Sequence, residues 1–140
     1  MATVLVDANV LLDILTADPA WEGWSASALV EAAEGSLLTI NPIIYAEVGA
    51  GFERAEDLDA ALPEELLRES LPWDAAFLAS RAFLAYRRRG GLHCSPLPDF
   101  YIGAHAQARD YTLLTRDAKR FRTYFPGLRL ITPDDGISRD

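Results

Sequence analysis

Cysteine, histidine, lysine and long apolar runs are all scarce in this chain, and each scarcity closes off a class of protein. Cys94 is the only cysteine in 140 residues. That excludes an internal disulfide and a cysteine metal cluster, and the thiol reads as packed or incidental. His93 and His105 are the only histidines; an isolated histidine on a helix is more often structural than catalytic, and neither is given a role. No apolar stretch approaches the roughly 18 residues needed to cross a bilayer. The first residues lack the basic flank and cleavage pattern of a signal peptide, so a cytoplasmic protein with no membrane partner is expected. Repeats, low-complexity tracts and long blocks of one charge are missing too, which argues against disorder.

What remains is an ordinary globular composition, 50% hydrophobic and 24% charged. The length fits one domain that buries its own core, expected over residues 1–133, with a loose tail over 134–140. A formal net charge of −8 argues against a protein that holds nucleic acid by blanket neutralisation of phosphates. It does not exclude a nuclease, because divalent cations bound to acidic side chains invert the local field while the formal count stays negative. The basic residues gather at Arg87, Arg88 and Arg89 and again at Arg116, Lys119, Arg120 and Arg122. The first cluster reads as a helix end whose charge complements the macrodipole.

The stretch TVLVDAN at residues 3–9 organises the chain. A short β-branched and aliphatic run stopped by an acid is the pattern of a strand buried on both faces, as in a parallel sheet covered by helices. Asp7 then stands at the carboxyl end of a central strand, the edge where open α/β sheets bind ligands. It is equally a good N-cap for the helix expected over residues 8–15, and Asn9 either lines the same pocket or caps the turn. A second helix is expected over 21–34, with Trp21, Trp24, Ala28 and Ala32 on its apolar face. Residues 36–40 read as a second buried strand, and Asn41 with Pro42 as the cap and first residue of a helix running through Arg54.

Glu47 lies on that helix among Ile43, Ile44, Ala50 and Gly51, a poor place for a solvated carboxylate. Held against apolar surface, an ionised Glu is costly unless a cation or donor meets it. Gly49 and Gly51 suggest close packing against the backbone. Farther on, an acidic helical stretch over 55–69 is interrupted by Pro63, a short strand is expected at 69–71, and a helix over 73–89 turns Trp73, Ala76, Phe77, Ser80, Phe83 and Leu84 to one apolar face. PDFYIGAHAQARD at 98–110 starts with Pro98 and places Asp99 in the first turn, where a cap is again the alternative. Its small residues let that helix lie close to the sheet, turning Asp99 toward the sheet edge. Residues 111–115 and 129–132 read as two further strands, and Asp117 either joins the first strand's end to a site or caps the helix after it.

Strands alternating with helices predict a three-layer α/β/α sandwich with a mostly parallel sheet. Right-handed crossovers bring every strand's carboxyl end to one edge, and with them Asp7, Glu47, Asp99 and Asp117. Unit charges 4 Å apart at an effective dielectric near 20 repel by roughly 4 kcal/mol per pair, so stability alone does not keep such a cluster. Hard divalent cations with oxygen ligands relieve it, and Mg²⁺ or Mn²⁺ suits a site without Cys or His.

VLVDANVLLD at 4–13, PIIYAEVGAGF at 42–52, LPDFYIGAHA at 97–106 and LLTRD at 113–117, in that order and spacing, resemble the PIN-domain ribonucleases, and more narrowly the VapC toxins of bacterial toxin-antitoxin pairs. The resemblance spans nearly the whole chain. It implies that Asp7, Glu47, Asp99 and Asp117 are the family's acidic quartet, with Thr115 as the accessory hydroxyl. It implies that Asp7, Asp99 and Asp117 hold Mg²⁺, with Glu47 binding directly or through water, and that the RNA phosphodiester is cut to leave a 5′-phosphate and a 3′-hydroxyl. A homodimer and a small antitoxin whose tail blocks the site are further implications. Arg116, Lys119 and Arg120 are candidates to guide the RNA backbone.

Three other readings compete. A haloacid-dehalogenase-type phosphotransferase wants a second Asp where this chain has Asn9, and Thr or Val where it has Leu11. A receiver-type signalling domain wants a lysine near its acidic pocket, and Lys119 is the only lysine. A catalytically silent scaffold that binds RNA or a partner is the non-enzymatic alternative.

Overall fold

The computed structural model describes residues 1–93 and 97–133. The readings made of Cys94 and of the tail over 134–140 lie outside the described residues. The aliphatic run predicted to be central forms β1 (Ala2–Val6), and Val4, Leu5 and Val6 are all buried. A strand covered on both faces has no polar face to alternate, which is why this run reads as continuous rather than periodic. β2 (Ser36–Ile40) and β4 (Thr112–Leu114) flank it, with β3 (Leu66–Arg68) outside β2 and β5 (Leu130–Ile131) outside β4. Every pairing is parallel. The register sets Leu5 opposite Thr39 and Leu113, so Asp7 and Thr115 leave adjacent strands at the same edge. The Asp7 N–H donates to the Leu114 carbonyl at 2.9 Å and closes that corner.

α1 (Ala8–Leu15) and α2 (Glu22–Gly35) pack on each other, and α2 lies against β2. The rings of Trp21 and Trp24 meet edge to face, 6.4 Å between centroids, both half-buried as their spacing predicts. α3 (Pro42–Gly49) begins as expected: the Asn41 carboxamide oxygen accepts the Ile44 N–H at 2.9 Å and Pro42 takes the first helical place. It ends at Gly49, however, and does not run on to Arg54. A Cβ on Gly49 would stand 3.2 Å from Leu58 Cδ2, so the bare glycine lets α4 (Ala55–Ala61) fold back against α3. Gly51 has no such neighbour; a Cβ there meets only the Val48 carbonyl at 3.8 Å.

Two other expectations are corrected. The third strand lies at Leu66–Arg68 and not at 69–71; the Glu69 N–H donating to the Ile40 carbonyl is its last ladder bond, and Leu66 is its buried residue. On α5 (Trp73–Arg88) most of the predicted face is turned away from the core, Phe83 being the one large side chain of it that packs there. Ala75, Ala79 and Ala82 are buried, while Trp73 is 91% and Phe77 62% exposed. Close helix packing chooses small side chains, whereas a count of hydrophobic bulk chooses large ones. α6 (Pro98–Arg109) answers α5 with small residues of its own, and Gly103 lies where a Cβ would fall 2.6 Å from the Phe125 ring. α7 (Lys119–Tyr124) places Phe121 in the core beside that glycine. With helices on both faces of the sheet, the result is the expected α/β/α sandwich. Among the described residues no helix is long and apolar enough to cross a membrane.

Candidate active site

Asp7 does both jobs that the sequence left open. It is only 4% exposed. Oδ1 caps α1 by accepting the Ala8 N–H at 2.7 Å, and Oδ2 accepts the Thr115 hydroxyl at 2.8 Å and the Asn9 carboxamide at 3.3 Å. Thr115 Oγ1 also accepts from Asn9 Nδ2 at 3.2 Å and from the Asp117 N–H at 3.2 Å. Asn9 Oδ1 in turn accepts the Arg116 N–H at 3.3 Å. Asn9 and Thr115 thus tie the ends of β1 and β4 together and aim one Asp7 oxygen.

Glu47 arrives from α3, Asp99 from the first turn of α6 and Asp117 from the loop after β4. All four carboxylates line one cleft of about 170 Å³, with Asn9, Leu12 and Phe121. Asp117 is free of capping duty, since α7 begins beyond it with Ala118 as its cap residue. No hydrogen bond or ion pair meets the Glu47 carboxylate among the described residues, and Asp99 has a single Arg120 contact at 3.3 Å.

The electrostatics follow. Burial, reinforced by Asp99 and Glu47 and opposed by the Thr115 hydrogen bond, pushes Asp7 up to about 7. Glu47 is raised by burial and then by Asp99. Asp99 is raised by burial; Arg120 works against this and Asp117 adds to it. Asp99 therefore raises Asp7 and Glu47 and is itself raised by Asp117, which makes it the centre of the cluster.

A cleft that disfavours its own ionised carboxylates is short of positive charge, and its oxygen donors suit a hard cation. As they stand, no three Asp, Glu, His or Cys side chains among the described residues are placed to hold an ion as a closed cage. Mg²⁺ does not need one, because it keeps several waters and takes one or two carboxylates plus substrate phosphate. The donor set fits on those terms.

Three features of the surroundings escaped the sequence. Arg116 turns away from the cleft: Nε and Nη2 reach Asp13 at 2.8 and 3.1 Å, Ser25 Oγ donates to the same carboxylate at 2.8 Å, and the guanidinium lies 5.4 Å from the Trp21 ring centroid. A bidentate carboxylate partner, distant in sequence, gave no local signal. His105 is fully buried and joins α6 to the cap of α3, its Nδ1 3.0 Å from Asn41 Nδ2. Because the Asn41 oxygen already accepts from Ile44, its amide nitrogen faces the ring and donates to Nδ1, which puts the imidazole proton on Nε2, 3.6 Å from Glu69. Burial keeps this histidine below its usual range despite Glu69. The helices carrying Glu47 and Asp99 are so linked. Lastly, Lys119 and Arg120 border a second cavity that shares Asp99 and Asp117 with the first.

Comparison with known proteins agrees with this architecture. Among solved structures, the chain is similar to VapBC2 of Rickettsia felis bound to promoter DNA, with 19% identity, a TM-score of 0.71 and coverage of 93% of this chain and 98% of that one. It is similar to a toxin-antitoxin complex from Klebsiella pneumoniae at 26% identity and a TM-score of 0.63, covering 93% and 97%. It also resembles VapC20 of Mycobacterium tuberculosis, described as a Sarcin-Ricin loop cleaving toxin, at 15% identity and a TM-score of 0.61, covering 86% and 94%. No curated protein matches the sequence. The family model for the PIN domain matches residues 4–125, from within β1 to just past α7, and so takes in every residue of the carboxylate cleft: the chain belongs to the PIN-domain family.

Proposed function

We propose that this protein is a Mg²⁺-dependent endoribonuclease and the toxin of a toxin-antitoxin pair. The observation that carries the reading is the meeting of Asp7, Glu47, Asp99 and Asp117, from four separate segments, in one cleft where burial and mutual repulsion raise three of them and no cation among the described residues answers Asp7 or Glu47. A charge deficit of that kind costs folding stability and makes sense as a cation site. Family membership and the likeness to toxins, one of them described as a Sarcin-Ricin loop cleaving toxin, support the same conclusion.

Asp7, Asp99 and Asp117 would hold the ion, one or two of them directly and the rest through its waters, with Glu47 reaching it directly or through water; Mn²⁺ would serve in its place. When bound, such an ion lowers the pKa of a water for attack on a phosphodiester and offsets charge on the leaving oxygen. The chain's own groups prepare the site. Asp7 is fixed at Oδ1 by the Ala8 N–H, leaving Oδ2 to be aimed by Thr115 and Asn9. Its raised pKa means that cation binding near neutrality displaces a proton from it. Arg120 beside Asp99 supplies a positive group within reach of a phosphate in the cleft. Products with a 5′-phosphate and a 3′-hydroxyl are expected. Arg116 is engaged by Asp13, which leaves Lys119 and Arg120 as the cations for the RNA backbone.

A cognate antitoxin and a homodimer complete the reading. The toxin-antitoxin complexes among the similar structures support the first. For the second, Trp73 and Phe77 offer a large, exposed apolar surface on one face of α5. Cleavage of purified RNA that requires Mg²⁺ and is abolished by EDTA and by Asp7→Asn tests the enzymatic claim; cleavage that survives either treatment refutes it. If RNA binds but is never cut with any divalent ion, the silent-scaffold alternative replaces it.

A further inference from the structure

The carboxylate cleft, about 170 Å³, is small and acidic. The cavity that shares Asp99 and Asp117 with it is more than twice as large, about 390 Å³, and adds cations and aromatic rings to those two acids. Besides those two acids, Lys119, Arg120 and the rings of Tyr86 and Tyr124 border it. Lys119 is the only lysine of the chain, is exposed, and has no ion pair among the described residues. The Arg120 guanidinium lies between the Asp99 carboxylate, at 3.3 Å, and the rings of Phe100 and Tyr86, whose centroids are 5.9 and 6.0 Å from its carbon. The aromatic wall is itself well supported: Tyr124 packs edge to face on Phe100 at 5.4 Å and on Tyr86 at 6.3 Å.

We propose that this second cavity seats the nucleotide next to the scissile phosphate, its phosphate on Lys119 and Arg120 and its base against Tyr86 and Tyr124. The inference rests on the ribonuclease reading of the carboxylate cleft. Cations alone would suit any anion; cations beside tyrosine rings suit a group that is anionic at one end and flat and aromatic at the other. The shared walls matter as much. Because Asp99 and Asp117 border both spaces, a nucleotide in the larger cavity is one phosphate linkage from the smaller, which holds an ion and a phosphate but no base. Stacking of a base on an aromatic side chain is sequence-tolerant, so the seat takes purines and pyrimidines alike and supplies binding more than selectivity.

Nuclear magnetic resonance titration of the ¹⁵N-labelled full chain tests this, with uridine 5′-monophosphate, adenosine 5′-monophosphate and inorganic phosphate as probes, in parallel with Mg²⁺-dependent cleavage of total RNA. Both nucleotides should shift the amide signals of residues 119–124 and the ring signals of Tyr86 and Tyr124. Inorganic phosphate should bind about tenfold more weakly, as expected from the loss of one stacked base. Tyr124→Leu should weaken both nucleotides about tenfold while leaving phosphate unchanged, and Lys119→Ala should weaken all three probes. Tyr86→Leu serves if Tyr124→Leu fails to fold. Equal binding of phosphate and nucleotides, shifts confined to residues outside the cavity, or no shifts up to millimolar probe overturn the proposal. If RNA is cleaved by the wild type while the nucleotides behave in any of those ways, the seat is wrong and the nuclease reading stands. Nucleotide shifts at α7 without cleavage leave the seat and remove the nuclease.

Discussion

Asp7 and Asp13 lie on one short stretch of chain, at the start and within α1, and are buried to nearly the same degree, 4% and 2% exposed. Their surroundings differ completely. Asp13 receives two guanidinium nitrogens from Arg116 and the Ser25 hydroxyl, a closed arrangement that binds α1, α2 and the loop after β4 into one piece. Asp7 receives neutral donors from Ala8, Thr115 and Asn9, and its charged neighbours are the carboxylates Glu47 and Asp99. A buried acid with its own cation is part of the fold. A buried acid among other acids lacks such a partner and, on the proposed reading, takes its cation from outside; burial depth alone cannot tell the two apart.

The contrast breaks most sharply under amide substitution. Asp7→Asn is expected to lower Mg²⁺-dependent RNA cleavage by more than the roughly 100-fold that loss of an outer partner of a metal site costs, with the protein still folded. The same substitution should stabilise the metal-free protein near neutral pH. In the folded chain the Asp7 pKa is raised from 3.8 to about 7, so between those values the folded state holds a proton that the unfolded state has lost. Stability is therefore lost as pH rises through that window, by on the order of 3–4 kcal/mol. Asp7→Asn removes the loss: its melting temperature should exceed the wild type's at pH 7 without metal and match it near pH 4. A drop at pH 7 would make Asp7 a structural residue like Asp13.

Asp13→Asn should do the reverse. Leaving Arg116 with one neutral partner is expected to cost roughly 2–3 kcal/mol by denaturant titration, less than a fully buried pair because Arg116 keeps 31% of its side chain in water. Next in size, Thr115→Ala removes the hydroxyl that aims Asp7 Oδ2 and should weaken Mn²⁺ binding about 10- to 100-fold with little change in stability. Smallest is Ser25→Ala, which removes one neutral hydrogen bond to Asp13 and should cost about 1 kcal/mol while leaving metal affinity unchanged.

The parts of this architecture that could be read in the sequence are those that local chemistry dictates. TVLVDAN announces a doubly covered strand because Val4, Leu5 and Val6 run unbroken and buried, and Asn41 with Pro42 announces a helix start because capping is settled within four residues. Glu47 stood out because its helical neighbours are apolar or tiny, and the structure leaves its carboxylate half-buried and, among the described residues, without a partner. What could not be read depends on distant partners. Nothing near Arg116 points to Asp13, and nothing near His105 points to Asn41. α5 misled for a different reason: alanines carry little weight in a hydrophobic pattern, yet Ala75, Ala79 and Ala82 form the packed face because α6 comes close. The end of α3 at Gly49 belongs to the same class, fixed by Leu58 of α4 lying against a bare backbone.

Calorimetric titration of Mn²⁺ into the wild type, Asp7→Asn and Asp13→Asn, in buffers of different ionisation enthalpy below and above pH 7, tests the central claim most directly. The account predicts binding by the wild type that tightens with pH and releases protons below pH 7, binding retained by folded Asp13→Asn, and binding lost in Asp7→Asn. Binding that is unchanged in Asp7→Asn, or independent of pH across that window, would contradict it.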